Sequence, residues 1–134
     1  VYMLGMWKAT VSCMMYICIG LVGLPVFSGY SAGPAVLLGP TGGYLIGYLL
    51  LTVCSGFFVE RYAGKLMQML GMLIGLVLCY LVGTVWLSVC ADLSIAQAAV
   101  TGVAPFVVFD LVKIVAALLL GPLFRQQLKK ANVI

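Results

Sequence analysis

Long apolar runs, broken by a few charged residues, organise this chain. No charge lies between Lys8 and Glu60, and none between Lys65 and Asp92. From Leu93 to Phe124 the charges are Asp110 and Lys113. A helix needs ~20 mostly apolar residues to cross the hydrocarbon core of a bilayer. The first run has room for two such helices and a connection; the second and third hold one each. The pattern predicts an all-α, polytopic membrane helix bundle with four transmembrane helices, over about 9–27, 40–59, 66–89 and 104–122. Turn residues agree with these limits. Ser28-Gly29-Tyr30-Ser31-Ala32-Gly33-Pro34 reads as an ordered loop, Pro40 and Pro105 suit first helical positions, and Gly121-Pro122 closes or kinks the last helix.

Composition narrows the class. Of 134 residues, 65% are hydrophobic and 7% charged, against roughly a quarter charged in a soluble domain. Mean hydropathy is +1.26. A soluble domain, a disordered chain and a nucleic-acid-binding module are excluded, and the lipid bilayer is the expected environment. The net charge of +4 is a topology signal. Lys8, Arg61, Lys65, Arg125, Lys129 and Lys130 fall on one side of a four-helix arrangement. The opposite connections, about 28–39 and 90–103, carry Asp92 alone. The positive-inside rule then puts both termini in the cytoplasm of a cell-membrane protein. Five cysteines without a C-x-x-C pair, and no histidine, offer no zinc spacing and read as apolar packing residues. Residues 1–134 form a single transmembrane domain. Val1 to Trp7 are apolar and begin abruptly, without a basic n-region, so two N-terminal helices of a longer protein are expected to precede them.

Sixteen glycines suggest close helix contacts. Gly71 and Gly75 form a G-x-x-x-G pair that suits a smooth packing groove. Gly39, Gly43 and Gly47 repeat the spacing. The run Gly39-Pro40-Thr41-Gly42-Gly43-Tyr44 lies at a helix entrance, where adjacent glycines allow close approach of a neighbouring helix or of a ligand. It lacks the Gly-Lys-Ser/Thr of a nucleotide loop.

Asp110 and Lys113 carry the most information. A charge near the bilayer centre costs ~2.5–3.5 kcal/mol even on insertion scales. Three residues apart, the two share a helix face, ~8 and ~12 Å along a helix that starts at Pro105. Lys113 lies too deep to snorkel to the cytoplasmic surface. One reading is a self-contained ion pair that stitches the bundle. The other is a polar site open to the outside, in which Lys113 neutralises a carboxylate and Asp110 accepts from N–H donors. Enzymatic chemistry is disfavoured: Asp110 has no second carboxylate for a dyad, and there is no histidine base.

The segments Gly23-Leu24-Pro25-Val26-Phe27, Gly39-Pro40-Thr41-Gly42-Gly43-Tyr44-Leu45-Ile46-Gly47-Tyr48 and Pro105-Phe106 through Asp110-Leu111-Val112-Lys113 closely resemble the BioY family. BioY proteins are the biotin-specific S components of energy-coupling factor (ECF) vitamin transporters. The resemblance covers about residues 4–130 and implies the C-terminal part of a six-helix fold. It implies biotin as transported ligand, no cofactor, and as partners an ECF coupling transmembrane subunit with a pair of ABC ATPases. On the family's pattern Lys113 would bind the valerate carboxylate and Asp110 the ureido ring. Ser28, Gly29 and Tyr30, with Thr41, Gly42, Gly43 and Tyr44, would line and cover the pocket, and Phe27, Tyr44 and Phe106 would pack the apolar parts. The family's polar Pro-x-Thr-x-Gln segment has no counterpart in this chain. Alternatives are an S component for another carboxylated cofactor such as lipoate, a stand-alone proton-coupled carrier using Asp110, and a purely structural bundle.

Overall fold

Backbone approach at glycine decides which helices touch. The structure, a computed structural model, describes residues 1–131. Six helices follow one another: α1 (Gly5–Leu21), α2 (Pro34–Leu38), α3 (Gly42–Arg61), α4 (Lys65–Ala91), α5 (Ile95–Gly102) and α6 (Ala104–Lys130). Of these, α3, α4 and α6 are long and apolar enough to cross a membrane, and α1 is a shorter apolar helix. The four alternate in direction, as the charge pattern predicts.

Helices α3 and α4 form an antiparallel pair packed by glycine on both sides. Gly43 sits against the Trp86 side chain and the Val82 carbonyl, Gly47 against Cys79, Gly75 against Leu51, Gly71 against the Phe58 ring and Gly83 against the Tyr44 ring. A Cβ on Gly47 would stand 2.9 Å from the Cys79 Cα. Lipid is as apolar as leucine, so helices in a membrane associate through this kind of contact rather than through hydrophobic burial. Gly39 precedes α3, and its carbonyl accepts from the Trp86 indole N–H at 2.9 Å.

Helix α1 leans on α3 at Gly56, which faces Met6. The Glu60 carboxylate accepts from the Met6 backbone N–H at 2.6 Å. It thereby satisfies one of the free donors at the α1 N-terminus, where negative charge is favoured. At the same end Gln68, buried on α4, donates to the Tyr62 carbonyl at 2.7 Å and accepts from the Tyr2 hydroxyl at 2.6 Å.

Four boundaries differ from the sequence expectation. Helix α1 stops at Leu21 rather than near 27, because Gly23 takes φ +110 and turns the chain. Residues 24–27 then fold back, and the Phe27 ring lies on Gly20. The connection expected at 28–39 contains a 3-10 turn at Ser28–Tyr30 and the short helix α2, opened by Pro34. The connection expected at 90–103 is mostly α5. Asp92 ends α4 in a left-handed conformation, and Ser94 and Gln97 form a reciprocal capping box that starts α5. Helix α6 runs through Pro122 to Lys130. Proline removes one backbone hydrogen bond, a loss that membrane helices tolerate.

Candidate functional site

Helices α1, α3, α4 and α6 wall a cavity of about 1070 Å³, just above the usual range for ligand pockets. The loop around Phe27 and Ser28 and the end of α5 contribute to the wall near the Asp92 end of the bundle. Asp110 and Lys113 are the charged residues that line it among the described residues.

Their geometry is specific. Lys113 Nζ lies 2.7 Å from Asp110 Oδ1. The Tyr80 hydroxyl donates to Asp110 Oδ2 at 2.5 Å, the short limit for an O–H donor on a charged carboxylate. Each carboxylate oxygen therefore has its own partner, from two different helices. The Asp110 side chain is 20% exposed and that of Lys113 is 72% exposed. The carboxylate is held against α4, while the ammonium stands in the open cavity. An ammonium has three N–H donors; Asp110 takes one and two remain.

Around this pair the wall is aromatic and mostly neutral. Tyr16, Tyr44, Tyr48, Tyr80, Phe27 and Phe106 line it. Tyr16 is fixed by donation to the Val26 carbonyl at 3.1 Å and by an edge contact with Phe27, ring centroids 5.5 Å apart. The Tyr44 hydroxyl is buried beside Gly102 without a hydrogen-bond partner.

The structure brings together Phe27, Ser28, Thr41, Tyr44, Phe106, Asp110 and Lys113 on this wall. Gly29 and Tyr30 do not line it, and Tyr30 is 90% exposed. Gly42 and Gly43 are buried against Leu37 and Trp86, so in this arrangement the glycine run serves helix approach. Tyr80, Tyr48 and Tyr16 are cavity residues that the sequence reading passed over. Tyr80 lies in an uninterrupted apolar run, and nothing local to it marks it as facing Asp110 thirty positions away.

Among the described residues no cluster of His, Cys, Asp and Glu is arranged to hold a metal ion. All five cysteines are free.

The sequence model of the BioY family matches residues 1–130. The chain belongs to the BioY family. It is 36% identical over 132 residues to the biotin transporter BioY of Thermotoga maritima, covering 98% of this chain and 75% of that protein. It is 37% identical over 118 residues to the probable biotin transporter BioY of Pyrococcus horikoshii, covering 88% and 68% respectively. Its backbone matches the crystal structure of the S-component for biotin from an ECF-type ABC transporter with a TM-score of 0.84, at 26% identity over 93% of this chain and 69% of the other. As a BioY family member with helices apolar enough to span a bilayer, the chain is a membrane protein. The family match runs from α1 through α6.

Proposed function

We propose that this chain is the substrate-binding S component of an ECF-type importer, capturing biotin from outside and delivering it across the cytoplasmic membrane. The observation that carries the reading is the Asp110–Lys113 pair, set in a cavity of ligand size in a BioY family member. Biotin has an anionic carboxylate at one end and two ureido N–H donors at the other. Lys113 supplies the cation for the first and Asp110 the acceptor for the second. The aromatic wall packs the bicyclic ring and the acid chain, with Phe27, Tyr44 and Phe106 as contacts and Ser28 and Thr41 at the rim. The chain needs no cofactor for this role, which is binding and not bond chemistry.

Energy comes from partners: a coupling transmembrane subunit and a pair of ABC ATPases. The basic residues at the Glu60 end set both termini in the cytoplasm. The cavity wall formed by Ser28, Thr41 and Phe106 then lies towards the outside, where vitamin is met.

The test is a calorimetric titration of the purified protein in detergent with biotin, with lipoate as competitor. Saturable 1:1 binding of biotin, undisturbed by excess lipoate, is expected. Preference for lipoate would move the assignment to another carboxylated cofactor, and no binding of either would overturn it.

A further inference from the structure

The ion pair poses a geometric problem for the ligand. Biotin's carboxylate and ureido ring sit at opposite ends of the molecule, whereas Lys113 Nζ and Asp110 Oδ1 are 2.7 Å apart. One biotin cannot place both ends at this spot. Lys113 is the mobile member: its side chain is 72% exposed and tied down by Asp110 alone among the described residues. Asp110 is the fixed one, 20% exposed and anchored from α4.

The geometry points to Tyr80 as a positioning residue for ligand recognition: it holds Asp110 in place when Lys113 swings away to meet the ligand's carboxylate. Without a second anchor, a carboxylate that loses its ammonium partner is free to rotate about its side-chain torsions. With Tyr80 donating to Oδ2, the carboxylate plane stays fixed and Oδ1 faces the cavity, vacated for an N–H of the ligand. Tyr80 also occupies the oxygen that Lys113 would need for a two-point grip, so the ion pair stays single-pointed and easier to open. The hydroxyl thus acts through Asp110 without touching the ligand. Tyr16 and Tyr44 do not duplicate it: Tyr16 donates to Val26 and the Tyr44 hydroxyl is buried beside Gly102.

This inference rests on the biotin-binding reading above, and the test keeps the two apart. Tyr80→Phe removes one oxygen and keeps the ring. Biotin affinity is expected to fall about tenfold, since a hydrogen bond to a charged group is lost, while the thermal unfolding midpoint in detergent falls by a few degrees and the variant stays folded. Infrared difference spectroscopy on ligand-free protein, with Asp110→Asn as the reference that assigns the band, gives an independent readout. The Asp110 carboxylate stretch is expected to shift between wild type and Tyr80→Phe. Wild-type protein that does not bind biotin sinks the functional reading and leaves the infrared result to judge the contact. A folded Tyr80→Phe variant that binds biotin as tightly as wild type overturns the inference. If Tyr80→Phe does not fold, the wild-type band decides: a stretch at the position of an unbonded carboxylate overturns it, and a hydrogen-bonded one supports it.

Discussion

The α3–α4 pair and helix α6 are equally apolar to the eye, yet they are held in opposite ways. Seven residues of α3 and eight of α4 are buried, nearly half of them glycine, whereas α6 buries Leu118 alone among the described residues. The pair is joined by backbone approach, glycine against side chain, along its whole length. Helix α6 meets the bundle through Leu118, which packs with Val59 and Met72, and through the Asp110–Tyr80 hydrogen bond. The α3–α4 contact is made by glycines against uncharged neighbours, whereas α6 carries both charges of the cavity. Close packing and charge are thus divided between the two regions.

That separation breaks first at Lys113. Lys113→Ala is expected to weaken biotin binding by about a hundredfold, towards the upper end for a lost hydrogen bond between charged groups. Thermal unfolding in detergent should change little, because the side chain is exposed and its partner Asp110 keeps the Tyr80 hydroxyl. Calorimetry and a melting curve on one preparation check both halves. A variant that melts much earlier would show that the ion pair is a stitch in the bundle, the alternative left open by the sequence.

The opposite dissociation is expected at Gly47. Gly47→Val puts a branched side chain where even a Cβ would stand 2.9 Å from the Cys79 Cα and 3.0 Å from its carbonyl oxygen. The neighbour is backbone, so the helices must part. A cost of about 1–3 kcal/mol is expected, in the range for overpacked cores. The melting curve should fall first, with biotin affinity following only as far as folded protein is lost. Equal stability would mean that the α3–α4 contact gives way more easily than its geometry implies.

Much of this division was readable from charge placement. Gaps between charged residues locate four helices, because a span is defined by what it excludes, and Asp110 and Lys113 stand out for the same reason. Short elements escaped. Helix α5 has eight residues, and its start depends on the Ser94–Gln97 box rather than on apolar length. The end of α1 depends on the conformation of Gly23, which spacing alone does not reveal. The glycine run at 42–43 left ligand and helix open, and the packed neighbours Leu37 and Trp86 come from separate parts of the chain. Tyr80 escaped for the same reason. In lipid-facing sequence hydrophobic periodicity is weak, so the face that a residue presents follows from packing partners and not from the pattern.

The smallest expected effect concerns the link between the two regions. Helix α5 joins the end of α4 to the start of α6, and its first turn is fixed by Ser94 Oγ accepting from the Gln97 backbone N–H at 3.3 Å, with the Gln97 side chain accepting from the Ser94 N–H at 3.2 Å. Ser94→Ala removes the cap and is expected to cost about 1 kcal/mol. Both Ser94 and Gln97 are exposed, so little packing is lost with it. If α5 merely connects, biotin affinity should change less than threefold. If α5 sets the height at which α6 presents Asp110 to Tyr80, affinity should fall further than stability, and Gln97→Ala should reproduce it. A melting curve and a titration on the two variants distinguish a passive connection from a strut that positions the site.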